Sequence, residues 1–486
     1  MIKRLPLLSE LTHTQKDELI IEQDRRLREQ GARLEALESK LRIFTDRLSK
    51  NSRNSSKPPS SDGYDKPHPR SRRSTNKKGK KRKPGGQPGH AGSTLKATSH
   101  PTQIDAHDPQ TCERCSVELG SVERLGYEAR QVYDLPPLAL AVTEHRSYKK
   151  RCVQCGTVNQ GKFPCGVTQA TQYGPKIKSL MIYMNQYQLL PFKRTSEFFS
   201  DVFGQRVSVG TLVSATKTVY RCLAGAEEHI KAQLACGALL HADETGFRVN
   251  QSSHWLHVGS TKRLTYYAAH RKRGREAMEA IGLLPSFEGV LVHDHLKSYF
   301  HYGKHHSLCN AHHLRELTFV QERYQYRWAK RLESLLLEIK RAVDRHRSET
   351  GESLPAPQCQ RYRRRYMNLL YRGKSECPRI LKDPDTGKSQ RKQSKARNLL
   401  ERLRRFNQNT LAFMYDADVP FDNNQAERDI RMMKVQQKIS GCFRTLEGIE
   451  RFSRIRGYLS TAKKQGVGIL TAIDAAIENQ AILFNA

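Results

Sequence analysis

The stretch ALLHADETGFRV, residues 238–249, decides how the middle of this chain is read. Its opening residues form a short apolar run that stops at Asp243, the pattern of a buried strand presenting a side chain at a sheet's edge. A second run of this kind, GVLVHDHLKSYF (289–300), stops at Asp294, and HWLHVGSTKRLTYYAAH (254–270) supplies further strand material between them. A carboxylate in such a place is costly unless a cation meets it. Two of them on separate strands predict a point where cations collect.

Farther on, FDNNQAERDIR (421–431) places Glu427 at the start of a helix whose apolar face is Ala426, Ile430 and Met433. Taken alone, Asn424 as N-cap with Glu427 three residues later is a capping-box pattern. Beside the two aspartates it completes an Asp, Asp, Glu set. Such a set suits hard divalent ions, Mg²⁺ or Mn²⁺. Two ions about 3.5–4 Å apart can activate a water or a 3′-hydroxyl and stabilise the leaving oxygen of a phosphodiester. Glu244 is an alternative ligand from the opposite face of its strand, and Asp422 and Asp429 are alternatives to Glu427. The histidines at 293, 295, 305, 306, 312 and 313 are dense, but they lack the HExxH spacing of a zinc hydrolase. Gly387-Lys388-Ser389 resembles the end of a phosphate loop, yet Lys382 stands where its first glycine should be, so no nucleotide-driven motor is expected.

The 486 residues carry 84 Lys+Arg against 49 Asp+Glu, a net charge of +35 that attracts polyanions, DNA foremost. No apolar run approaches the roughly 18 residues of a membrane span and the start lacks a signal-peptide core, so a cytoplasmic, nucleoid-associated protein without a membrane partner is expected. The charge is densest between residues 51 and 100, where 13 Lys+Arg face two acidic residues among Ser, Pro and Gly. This reads as a flexible arm gripping phosphates through Lys77, Lys78, Lys80, Lys81, Arg82 and Lys83.

Before the arm, Ile20, Leu27, Leu34, Leu41 and Leu48 recur every seven residues, joined by Leu37 and Phe44. That is a short coiled coil, and it predicts at least a homodimer. After the arm, Cys112-x-x-Cys115 and Cys152-x-x-Cys155, 36 residues apart, offer two pairs of thiolates for a closed, structural zinc site. RQVYDLP (130–136) and AVTEHRSYKK (141–150) read as a hairpin joining the two knuckles, and the other seven cysteines, Cys309 among them, read as packing residues. FKRTSEFFSDVFG (192–204) followed by VSVGTLVSATKTVY (207–220) reads as helix, turn, helix. Gly204 stops the first helix and Ser208 caps the second, turning Thr211, Ser214 and Lys217 toward a DNA groove. Arg428 and Arg431 are placed to neutralise phosphate near the acids.

The co-ordered motifs NSSKPPSS, GGQPGHAG, the paired CxxC, HADETGF, HDHLKSY, CNAHHLREL and DNNQAERDIR resemble the DDE-type transposases of the bacterial insertion-sequence sixty-six family. The resemblance runs from the zipper almost to the C-terminus. It implies a ribonuclease-H-like α/β catalytic domain interrupted by a helical insert, with Asp243, Asp294 and Glu427 as the catalytic and metal-holding triad. It implies DNA as partner, at element ends and target, and small accessory transposition proteins. A transposase-derived repressor without catalysis is the alternative.

The expected organisation is multidomain α+β. It comprises a coiled-coil helix (16–50), a basic arm (51–100), a zinc module (101–170) and a helix-turn-helix-like region (171–235). The catalytic domain follows in two parts (236–318 and 410–450) around a helical insert (319–409), and a C-terminal helical region (451–486) closes the chain.

Overall fold

The computed structural model describes residues 12–55, 57, 62, 95–379 and 393–486. The lysine-rich run 77–83 and the phosphate-loop-like 387–389 lie outside them. The chain divides into two compact units. One holds Met1–His68, Pro164–Phe199 and Arg206–Ala486; the other holds Pro69–Phe163 with Ser200–Gln205.

The larger unit begins with helix α1 (His13–Leu48), opened by a capping box in which Gln15 N donates to Thr12 Oγ1 and Thr12 N to Gln15 Oε1. The heptad residues all stand out into solvent, Leu41 and Leu48 at 67% and 70% exposure, so the stripe forms no part of this unit's own core. The far end of the helix behaves differently. Asp46 is buried, accepts the Tyr324 hydroxyl at 2.9 Å and faces Arg323 and Lys395 at 3.3 and 3.5 Å. Just beyond, Arg53 and Asn54 both donate to the Glu322 carboxylate. The expected arm is therefore pinned at its start.

The smaller unit contains strands β1 (Lys149–Arg151) and β2 (Val158–Gln160), an antiparallel pair closed over the second knuckle. This replaces the hairpin expected from 130–136 and 141–150, which form no ladder with each other. Val132, Leu135 and Val142 are exposed, so their alternation has no apolar face to cover. At its other end, Gln131 exchanges hydrogen bonds with Thr98, which assigns the last residues of the expected arm to this unit.

Between Pro175 and the sheet come α2 (Pro175–Ile182), α3 (Phe192–Phe203), whose last residues from Ser200 belong to the smaller unit, α4 (Val209–Cys222) and α5 (Ala224–Ala235). Gly204 at φ +66° ends α3, and Ser208 Oγ accepts from Thr211 N at the start of α4, as the sequence requires. Strands β3 (Leu239–Val249), β4 (Ser252–Ser260) and β5 (Thr265–His270) form an antiparallel meander. After α6 (Arg275–Ile281), β6 (Val290–His293) and β7 (His305–Leu308) join β3 in parallel, giving the order β5-β4-β3-β6-β7.

The chain then leaves the sheet through α7 (Asn310–Tyr324), α8 (Arg327–Thr350), α9 (Ala356–Glu376), α10 (Lys395–Arg405) and the short α11 (Asn407–Thr410) and α12 (Ala412–Tyr415). It returns in α13 (Asn424–Ser440), α14 (Leu446–Lys464) and α15 (Ile469–Ile477). The excursion closes on itself: Asn310 N donates to Phe421 O at 3.1 Å, and Asn310 Nδ2 to Thr410 O at 2.9 Å. It thus starts earlier than residue 319.

Apolar packing joins these elements. Phe247, Leu256, Val258 and Tyr267 of the sheet pack with Ala426, Ile430 and Met433 of α13 and Phe452 of α14. The insert has its own core around Trp328, Leu336, Tyr366, Leu370 and Leu400. α14 begins at Leu446 and packs on β5, α4 and α5, so the C-terminal helices, whose region was expected to start at 451, pack on the body that holds the sheet.

The insert core depends on close approach at Gly373, where an added Cβ would lie 2.8 Å from both Trp328 Cγ and Leu400 Cδ1. The indole is rigid and fully buried. Gly373→Ala is therefore expected to destabilise by about 1–3 kcal/mol, read by urea unfolding, although alanine is the better helix former. An unchanged midpoint would mean that the three helices separate freely here.

Candidate active site

The offset that pairs Leu239 with Val290 and His241 with Val292 carries Asp243 opposite Asp294 where the parallel β3–β6 pairing ends; β3 itself does not stop at Asp243 as expected but runs on to Val249, still paired with β4. Each is oriented by a local backbone amide. Asp243 Oδ1 accepts from Glu244 N at 2.9 Å, and Asp294 Oδ1 from Leu296 N at 3.1 Å. His295, immediately after Asp294, takes φ +81°, a left-handed turn that ends the strand there.

Glu244 joins them: oxygens of Asp243, Glu244 and Asp294 lie within 4.8 Å of one another. The three are not equivalent. The Glu244 carboxylate accepts Arg273 Nε and Nη2 at 2.8 and 2.6 Å and the Tyr299 hydroxyl at 2.5 Å, so its charge is already compensated. Asp243 and Asp294 make no ion pair among the described residues. Burial, then the charges of Glu244 and Asp294, push Asp243 well above its ordinary value of 3.8. The pair left uncompensated is the pair suited to a cation.

Glu427 sits in the first turn of α13, but no capping box forms. The N-cap is Asn423, whose side chain is turned inward: Nδ2 donates to Ala242 O and Oδ1 accepts from His241 Nδ1, both at 2.8 Å. Burial pulls His241 down to about 4, so the imidazole is neutral and this network sets its tautomer. The Glu427 carboxylate is thereby free of the backbone. It meets Cys309, His312 and Arg315 at 3.8, 3.5 and 3.4 Å, three residues spaced by three along one face at the start of α7.

Cys309 is thus more than packing. Its buried thiol, pushed up to about 12 by burial, stays protonated toward Glu427 and accepts Asn423 N at 3.2 Å. Burial and the Arg315 charge also keep His312 neutral. Cys309, His312 and Glu427 form a second group of ligand atoms within 4.8 Å. Glu427 belongs to it and not to the aspartate group, while its charge still contributes to raising Asp243. Asp429 is paired with Lys464 at 2.7 Å, and Asp422 accepts from Asn424 N, so neither replaces it.

His293, His295 and His306 pack instead with Phe300, and His295 also meets Phe406. Among the described residues none of the three joins a ligand group.

The remaining predicted residues within the described range lie on α13, on α4 and in the two CxxC knuckles. Arg428 and Arg431 are exposed on α13, as are Ser214 and Lys217 on α4, while Thr211 is half-buried beside its cap. In the smaller unit both CxxC pairs form the same backbone knuckle: Ser116 N and Gly156 N return to the carbonyls of Cys112 and Cys152. Ser116 and Gly156 take the left-handed φ values of +58° and +71° that this turn requires. Hydrogen bonding with Thr157 brings the Cys155 thiol down to about 7, as suits a zinc ligand. The four thiols are not brought into one group, however; among the described residues no three lie within 4.8 Å of one another.

The pKa of Asp243 carries a sign that can be tested. The folded chain binds this proton more tightly than the unfolded one, so its contribution is fully favourable below about pH 4 and is lost as pH rises toward the raised value. In EDTA, Asp243→Asn is expected to melt a few degrees above the parent at about pH 8, with the gap closing toward about pH 5. Mg²⁺ should raise the parent's melting temperature and not the variant's. A gap independent of pH, read by scanning calorimetry, would remove the charge cluster from the account.

The description "Transposase IS66 family" matches residues 170–451, the range containing every acidic residue of the site. "Zinc-finger binding domain of transposase IS66" matches residues 109–156, spanning all four CxxC cysteines. A family of unknown function matches residues 4–96. Comparison with curated proteins gives no match.

Proposed function

Because the chain belongs to the IS66 transposase family and carries its zinc-finger domain, we propose that it cuts DNA at the ends of an insertion sequence and joins them to a target. The observation that carries this reading is the pairing of Asp243, midway along β3, with Asp294, just past the end of β6, and Glu427 on the adjoining helix. A mixed sheet whose central strand bears the first aspartate supports a ribonuclease-H-like catalytic domain.

Asp243, Asp294 and Glu427 would hold two Mg²⁺ or Mn²⁺ ions, Glu427 by leaving His312 and Arg315. Such ions, when bound, activate an attacking hydroxyl and stabilise the leaving oxygen. In the first step water displaces a 3′-oxygen from phosphorus at the element end, freeing a 3′-hydroxyl. In the second, that hydroxyl displaces a 3′-oxygen of target DNA in line. One phosphodiester forms as one breaks, so no high-energy cofactor is consumed. The α3–α4 pair, through Thr211, Ser214 and Lys217, and the lysine-rich run at 77–83 would hold the element end, while Arg428 and Arg431 neutralise phosphates beside the acids. Small accessory proteins would act with it. No helix among the described residues is long and apolar enough to cross a membrane.

A strand-joining assay with DNA carrying the gene's flanking termini and Mg²⁺ tests the reaction. Glu427→Gln and Asp294→Asn should each lower joined product by about a hundredfold or more while leaving DNA binding in place. Equal activity in parent and variants would separate the acids from catalysis. Binding without joining by the parent, with the expected accessory proteins present, would favour the repressor.

The exposed heptad stripe of α1 and the knuckle cysteines support a dimer holding structural zinc. Native mass spectrometry should find two chains with two zinc ions, and Leu34→Glu should give single chains that each keep one. Metal-free chains or a monomeric parent would count against these two assignments.

A further inference from the structure

The acidic cluster also contains a cation that the catalytic set does not use. Arg273 follows β5, and its Nε and Nη2 both donate to Glu244, whose side chain is wholly buried while the arginine's remains 44% exposed. The guanidinium carbon lies 4.9 Å from the Trp255 ring centroid. Glu244 is fixed in turn by the buried Tyr299 hydroxyl, and its carboxylate lies within 4.8 Å of Asp243 and Asp294.

Stability does not account for this arrangement, since a buried Glu–Arg pair yields little net stabilisation over apolar packing. What it achieves is placement. One edge of the guanidinium is bound and one face rests near an aromatic ring, so the fork cannot swing away, and Nη1 makes no hydrogen bond among the described residues. A planar fork with an unspent edge, held beside two carboxylates, matches the geometry of a phosphodiester's non-bridging oxygens.

We propose that Arg273 grips the scissile phosphodiester of the DNA strand at the acidic pair, with Glu244, Tyr299 and Trp255 as positioning residues. The assignment rests on the transposase reading above and names the group that would receive the phosphate there. It explains why β3 carries two consecutive acids: Asp243 would hold a metal ion, and Glu244 orients the arginine.

The test is a cycle between residue and substrate. Duplexes ending at the element terminus are prepared with a native phosphate or a single neutral methylphosphonate at the scissile position, and affinities are measured in Ca²⁺ by anisotropy. For the parent, neutralisation should weaken binding about tenfold. Arg273→Ala should bind the native duplex about tenfold more weakly and lose nothing more on neutralisation, whereas Arg271→Ala, an exposed neighbour, should keep the parent's penalty. A full penalty in Arg273→Ala would overturn the proposal. Should that variant fail to fold, Arg273→Lys carries the test, because it retains a charge against Glu244 without the fork. Its penalty should shrink to about threefold, and a parental penalty would again overturn the assignment. A parent that fails to distinguish the terminus from a scrambled duplex would overturn the transposase reading itself, and this proposal with it.

Discussion

One buried amide holds the site together. Asn423 reaches β3 through Ala242 O and His241, and its own N–H reaches Cys309 at the threshold of α7. Three segments distant in sequence meet at a residue only 1% exposed. In so dry a setting an unpaired polar group costs about 1–3 kcal/mol, so the bonds act as a set, and each enforces the geometry of the others. Through Asn423 the helix bearing Glu427 is registered against the strand bearing Asp243, although a hundred-residue excursion separates it from β7.

Charge is distributed against the same frame. A chain of net charge +35 draws polyanions to it, yet its sheet carries a cluster of three carboxylates that repel them. The opposition is resolved locally. Glu244 spends its charge on Arg273, Glu427 rests against Arg315, and Asp243 and Asp294 keep a negative field that a divalent ion would satisfy. Arg273 and Arg315 thus stand beside acids while Asp243 and Asp294 are left without an ion pair among the described residues.

Much of this was legible in the residues themselves. The apolar runs before Asp243 and Asp294 are short, β-branched or leucine-rich and punctuated by polar residues, and both form strands where expected. The end of α3 and the start of α4 could be placed because Gly204 and Ser208 act locally. Other features depend on partners brought in by folding. The capping box at Asn424 failed because Asn423 gains more from β3 than a helix start gains from a cap. Cys309 looked like packing because its neighbour Glu427 is remote in sequence, although the three-residue spacing to His312 and Arg315 was a usable signal. Arg273 gave none, since only the sheet places it over Glu244. The strands read at 130–136 and 141–150 had the right residue types but no buried face to occupy.

The insert leaves and re-enters the body that holds the sheet through paired ends, Asn310 bonded to Phe421 and to Thr410, with Asn409 Nδ2 donating to His306 O. Its mouth is therefore fixed independently of its contents. For a segment closed in this way, the entropy of joining the ends grows only with the logarithm of its length, about 0.6 kcal/mol for each doubling. Since α8 to α10 carry their own apolar core, residues can be gained or lost at the far side of the excursion without disturbing the spacing of the acids. The spacing of the acids and the size of the insert are separately adjustable, so the chain can acquire new surface there while the acidic cluster stays fixed.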